Sequence, residues 1–181
     1  MRRIQNIIAI VAVCLLFSNC DYVLGLQVQR MYGKKVTFPY IVSQIFYGEL
    51  KEDAEVPSGM KRMVLLFEDR NCSRCQASRL YEFYDLIDSC QNRSILPIVL
   101  FSGESLAAAQ DEVLVQDYPF PVYFDEGGIF LKRNPYLSKN RRLCYFLIDE
   151  QDTIKFIGNP IQSTAMLSAF DSIVLNLSDN R

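Results

Sequence analysis

Apolar residues gather along this chain into short runs separated by polar stretches, and two of the runs are continuous. Met63-Val64-Leu65-Leu66-Phe67 and Ile95 to Phe101, the second with Pro97 near its start, have strand length and predict strands buried on both faces. Between them Cys72 to Ser89 carries apolar positions at helical spacing. Ser105 to Gln116, with the good formers Leu106-Ala107-Ala108-Ala109, predicts a second helix, and Ser163 to about Leu177 a last one. Pro121 to Phe124 suits a short strand and Ile129 to Asn134 a short helix or turn. Leu143 to Ile148 and Thr153 to Gly158 read as a hairpin across Asp149-Glu150-Gln151-Asp152. Nearer the amino terminus, Val36 to Tyr40 suits a short strand, Ile41 to Leu50 fits helix or loop equally, and Glu49 to Lys61, with Pro57 and Gly59, reads as a surface loop. Strand, helix, strand, helix, an antiparallel pair and a closing helix predict an α/β fold, with a central mixed sheet flanked by helices and its first two strands parallel.

The first residues follow another pattern. Met1-Arg2-Arg3 is a basic start, Ile4 to Phe17 is apolar apart from Gln5 and Asn6, and Cys20 follows at once. Asn19 and Asp21 interrupt the run before it reaches the roughly 20 residues of a spanning helix, so residues 1–20 read as an export signal. Leu15-Leu16-Phe17-Ser18-Asn19-Cys20 resembles a bacterial lipoprotein signal, which makes Cys20 the expected lipidation site and the bacterial envelope the expected location. An uncleaved amino-terminal anchor is the alternative. Residues 21–60 are then an extension packed on the domain, and 61–181 the domain itself. Half of the residues are apolar, enough for a full core in one domain, and a net charge of −2 with both signs interspersed gives no footprint for nucleic acid.

Chemistry concentrates at Cys72-Ser73-Arg74-Cys75, which lies between a predicted strand and a predicted helix. A thiolate at a helix start meets unpaired N–H groups that favour the reactive form, so Cys72 is the candidate nucleophile and Cys75 the thiol that resolves its mixed disulfide. A structural disulfide, inert thiols and half of a zinc site are the other readings of the spacing. The chain has no His and no second close cysteine pair, so neither metal nor cofactor is expected. Arg74, and Arg70 just ahead of the motif, are placed to favour thiolate. Glu68 and Asp69 are placed to take a proton from Cys75. Without Cys14 and Cys20, the remaining thiols are Cys72, Cys75, Cys90 and Cys144, and sequence does not choose their pairing.

Residues from about Met63 to Leu177 resemble the thioredoxin-like lipoproteins of Bacteroides-type envelopes. The resemblance rests on MVLLFEDRNCSRCQASRLYEFYDLI, on YPFPVYFDE and on CYFLIDEQDTIKFIGNPI. It implies a thioredoxin-like three-layer fold and a thiol–disulfide oxidoreductase role for Cys72 and Cys75. It also implies protein thiol or disulfide clients, an envelope redox partner and a membrane attachment by lipid; the alternative is a redox-inert binding or assembly module. Three positions depart from the family pattern. Leu143 stands where thioredoxins carry a cis-proline, so a trans peptide and an altered docking edge are expected. Leu66 replaces a buried acid, and Asn71 a tryptophan. The same alignment brings Cys144 toward Cys72 as an auxiliary third thiol, or leaves it a small buried residue. Cys90, at the far end of the predicted helix, is expected to be structural.

Overall fold

The computed structural model describes residues 22–69, 72–137 and 140–179. The expected signal with Cys20, and also Arg70 and Asn71, lie outside these residues. After a helix over residues 22–31 (α1) come β1 (Val42–Phe46), β2 (Glu49–Ala54) and β3 (Arg62–Glu68). The chain continues through α2 (Ser73–Ala77), a 3-10 turn over Leu80–Phe83, α3 (Tyr84–Gln91), β4 (Leu96–Gly103) and α4 (Ala107–Gln116). It ends with β5 (Val122–Glu126), α5 (Ile129–Arg133), β6 (Tyr145–Ile148), β7 (Ile154–Ile157) and α6 (Thr164–Asp179).

The strands form one mixed sheet in the order β2-β1-β5-β4-β3-β6-β7, in which β3, β4 and β5 are parallel and the other pairings antiparallel. The two continuous apolar runs are its centre because the sheet is covered on both faces. Along β3, Met63, Leu65 and Phe67 enter the core beneath α2, α3, α4 and α6, while Val64 and Leu66 enter the core beneath α1 and α5. Period-two alternation divides one apolar run between two cores. The result is three layers, helix on sheet on helix. Among the described residues no helix is long and apolar enough to cross a membrane.

Three expectations are corrected. Val36 to Tyr40 forms no strand. The stretch read as helix-or-loop and then surface loop, Ile41 to Lys61, is largely the hairpin β1–β2, whose turn puts Tyr47 and Gly48 at positive φ (48° and 66°). A pair of left-handed residues is the geometry of a tight two-residue hairpin turn. The extension thus supplies two strands of the sheet, β1 pairing with β5. The single helix expected from Cys72 to Ser89 is broken. Beyond Ala77 the bonds shorten to i→i+3, Arg79 N–H donating to Gln76 at 3.2 Å and Glu82 N–H to Arg79 at 3.1 Å. The carbonyl of Ala77, which would have accepted from Tyr81, instead accepts the Tyr118 hydroxyl at 2.7 Å. Burial pushes that phenol up to about 12, so it remains a donor through the neutral range.

Three phenylalanines in register anchor this end of the sheet. Phe67 on β3 stands beside Phe101 on β4, and Phe101 beside Phe124 on β5, with ring centroids 4.9 Å and 5.4 Å apart. Phe83 from the 3-10 turn meets both Phe67 and Tyr145 at 5.6 Å. Burying such rings contributes roughly 2–3 kcal/mol apiece, which fixes the platform over which α2 lies.

Candidate redox site

β3 delivers the chain to the carboxyl edge of the sheet, and the dithiol motif opens the helix that turns back over it. Cys72 is the N-cap of α2, and the structure holds it in a disulfide with Cys75, their Cα atoms 5.2 Å apart. The Cys75 N–H points at the Cys72 sulfur, 3.2 Å away. When the disulfide is reduced, an N–H in that place stabilises negative charge on Cys72 more than on Cys75. With five residues α2 has little macrodipole, so this one donor, rather than a long helix, provides the bias. Both cysteines are exposed, and access alone therefore does not rank them.

The flanking charges sit differently from the sequence expectation. Arg74 is largely exposed, and its Nε–H donates to Glu112 on α4 at 3.0 Å. The Gln116 amide donates to the other oxygen of that carboxylate at 2.9 Å. Together the amide and the guanidinium hold Glu112 below the usual carboxylate range. Asp69 accepts the backbone N–H groups of Glu104 and Ser105 at 2.6 Å and 3.3 Å, so it ties the β3–α2 connection to the β4–α4 loop. Glu68 ends β3 buried and lines a cleft of about 470 Å³ with Asp69, Gly103, Glu104, Leu131 and Leu137. By the alternation of β3 it belongs with Val64 and Leu66, on the side of the sheet away from α2.

Cys144, read either as a third thiol near Cys72 or as a small buried residue, is buried in the core beneath α1 and α5 with Leu66 and Phe146, and its thiol donates to the Asn140 carbonyl at 3.6 Å. Ala77 of α2 enters the other core. Cys90 is fully buried at the end of α3, where burial pushes its thiol up to about 12. A thiol so rarely ionised is chemically quiet.

The structure accounts for the departure at Leu143. It closes a 3-10 turn (Arg141–Leu143), is buried, and donates its N–H to the Asn140 carbonyl at 2.8 Å. The next residue joins the sheet, Leu66 N–H donating to the Cys144 carbonyl at 2.9 Å. Leu143 therefore lies beside the end of β3 that leads to the motif, and among the described residues every peptide bond is trans. A proline at 143 would lack the N–H that closes this turn, so the local backbone is built around a residue with a donor. Sequence reasoning missed Glu112 and Tyr118, which hold the motif helix from α4 and its following loop. Only long-range packing, with no local motif, brings them there.

No family model matches this chain, and no curated protein does. Solved structures do. The crystal structure of a conserved uncharacterized protein from Geobacillus kaustophilus superposes with a TM-score of 0.55 at 13% identity, over 80% of this chain and 82% of its own. A structure from Chlorobium tepidum described as a thiol:disulfide interchange protein DsbE gives 0.52 at 14% identity, covering 79% and 97%. The thioredoxin domain of a thiol-disulfide oxidoreductase from Bacteroides vulgatus gives 0.51 at 10%, covering 79% and 97%. The fold is thioredoxin-like. A thioredoxin-like fold with Cys72 and Cys75 joined at the CxxC spacing fits a redox function.

Proposed function

We propose that this chain is a thiol–disulfide oxidoreductase of the bacterial envelope that works through Cys72 and Cys75. The observation that carries the reading is the exposed disulfide at the start of α2, with the Cys75 N–H directed at the Cys72 sulfur. In the reducing direction the Cys72 thiolate attacks one sulfur of a client disulfide, forming a mixed disulfide and releasing the client's other sulfur as thiolate. The Cys75 thiolate then attacks the Cys72 sulfur, releasing the second client thiolate and re-forming the Cys72–Cys75 disulfide. Two electrons pass to the client, and an envelope dithiol must return them. The reverse sequence oxidises a client.

Trapping tests the assigned roles. Cys75→Ser is expected to accumulate mixed disulfides with a disulfide-bearing peptide, resolved on non-reducing gels, whereas Cys72→Ser is not. The wild-type disulfide is expected to equilibrate with a glutathione redox buffer. Failure to equilibrate would remove the proposal in favour of a redox-inert module, whereas equal trapping by both variants, or by neither, would count against the assigned roles.

The location belongs to the same proposal and is supported by the leader pattern of residues 1–20. Cys20→Ala should abolish fatty-acid labelling of the protein and release it from membranes. Unchanged labelling in that variant would exclude Cys20 as the anchor.

A further inference from the structure

Arg74 stands between the two cysteines in sequence, yet its side chain is committed to another helix. The α2 helix packs against α4, and there the guanidinium meets Glu112, whose remaining oxygen is occupied by Gln116. Glu112 is therefore a fixed, ionised acceptor for a cation that otherwise extends into solvent, since 70% of the Arg74 side chain is exposed against 12% for Glu112. Among the described residues, the other charges around α2 are engaged elsewhere or lie farther off. Arg79 is held by Glu82 at 2.7 Å, and Asp69 is held by two backbone N–H groups. Glu68 lies toward the other face of the sheet, and Asp111 is the further carboxylate of α4.

We propose that Glu112 is a positioning residue for the dithiol: it draws the Arg74 guanidinium onto α4, withholds that charge from the sulfurs, and thereby keeps Cys72 a weaker acid and the disulfide a weaker oxidant. The inference rests on the redox reading of Cys72 and Cys75 and deepens it by naming what sets their poise. A guanidinium released toward the Cys72 sulfur stabilises the thiolate, and a more stable thiolate favours the reduced pair over the disulfide. Removing the Glu112 charge acts in the same direction. Removing Arg74 alone leaves an unneutralised carboxylate beside α2 and acts in the opposite one.

The sign pattern is the test. In the reduced full-length chain, with Cys75→Ser leaving one reactive thiol in the motif, the midpoint of Cys72 ionisation is read from the pH dependence of iodoacetamide alkylation. Glu112→Gln is expected to lower it by roughly half a unit, about threefold more thiolate at pH 7, the size set by a solvent-screened pair. Arg74→Gln should raise it by a similar amount, and the double variant should return close to the parent. With both cysteines present, Glu112→Gln should shift the glutathione equilibrium about threefold toward the dithiol. A merely structural ion pair would leave the midpoint in place or move it the same way in both single variants, and either result overturns the proposal. Because alkylation needs no disulfide exchange, an enzyme that failed to cycle would refute the redox reading while the midpoints still decided the role of Glu112.

Discussion

Asp152→Ala is expected to destabilise the fold by about 2–4 kcal/mol, although it lies far from the dithiol. Arg62, the first residue of β3, is almost completely buried, and its guanidinium donates to the Asp152 carboxylate, to the Pro57 carbonyl at 2.7 Å and to the Met60 carbonyl at 3.2 Å. Its charge also stands 5.1 Å from the centre of the Phe38 ring. These contacts draw the β2–β3 connection, the β6–β7 turn and the segment after α1 to a single cation. Losing the carboxylate leaves a buried charge without its counter-ion, at about 3–5 kcal/mol when no water can enter. Asp152 is 29% exposed, so water replaces part of the loss. Its φ of 67° adds about 1 kcal/mol for alanine but little for asparagine, which tolerates the left-handed region. Asp152→Asn, which loses the same counter-ion but tolerates the left-handed backbone, should cost about 1 kcal/mol less. Urea unfolding of the three proteins measures this, and an alanine variant within about 0.5 kcal/mol of wild type would show that the cation does not hold these segments together. The exchange rate of the dithiol, per folded molecule, should not change.

The same buried arginine shows where sequence reading reaches and where it stops. The run from Met63 to Phe67 announces a central strand because a sheet covered on both faces requires apolar residues at every position. Nothing local announces β1 and β2. Val42-Ser43-Gln44-Ile45-Phe46 mixes polar with apolar and is held by β5, and Glu49 to Ala54 is a charged edge strand that pairs with β1. The break after Ala77 is equally silent, with neither proline nor glycine nearby, since its cause is the Tyr118 hydroxyl brought from 41 residues away. At the site, the dithiol itself was legible from spacing and context. Arg74 was legible as a nearby cation but not as one held by Glu112, and of the two readings of Cys144 the buried one agrees with its place in the core beneath α1 and α5.

Gly103→Ala is expected to cost about 2–3 kcal/mol and to disturb the approach to the dithiol. At the end of β4 the backbone of Gly103 is pressed against Asp69, so an added methyl would collide with the Asp69 Cγ and stand 2.5 Å from its Cβ. Asp69 cannot stay, and its departure unpairs the N–H groups of Glu104 and Ser105 that it now holds. The cost combines overpacking with the loss of two hydrogen bonds to a charged acceptor. The clash identifies its own suppressor. Asp69→Ala retains the offending Cβ, but Asp69→Gly removes it, so Gly103→Ala should cost far less in the Asp69→Gly background, with a coupling of about 1–2 kcal/mol in a double-mutant cycle. Simple additivity would show that the two residues do not meet. Asp69 precedes Cys72 by three residues and is the clamp that joins the motif's leading segment to the β4–α4 loop. Loss of the clamp in Gly103→Ala should accordingly loosen the segment that presents Cys72. Wild-type exchange kinetics in a folded Gly103→Ala protein would mean that α2, through α4 and Tyr118, positions the dithiol without it.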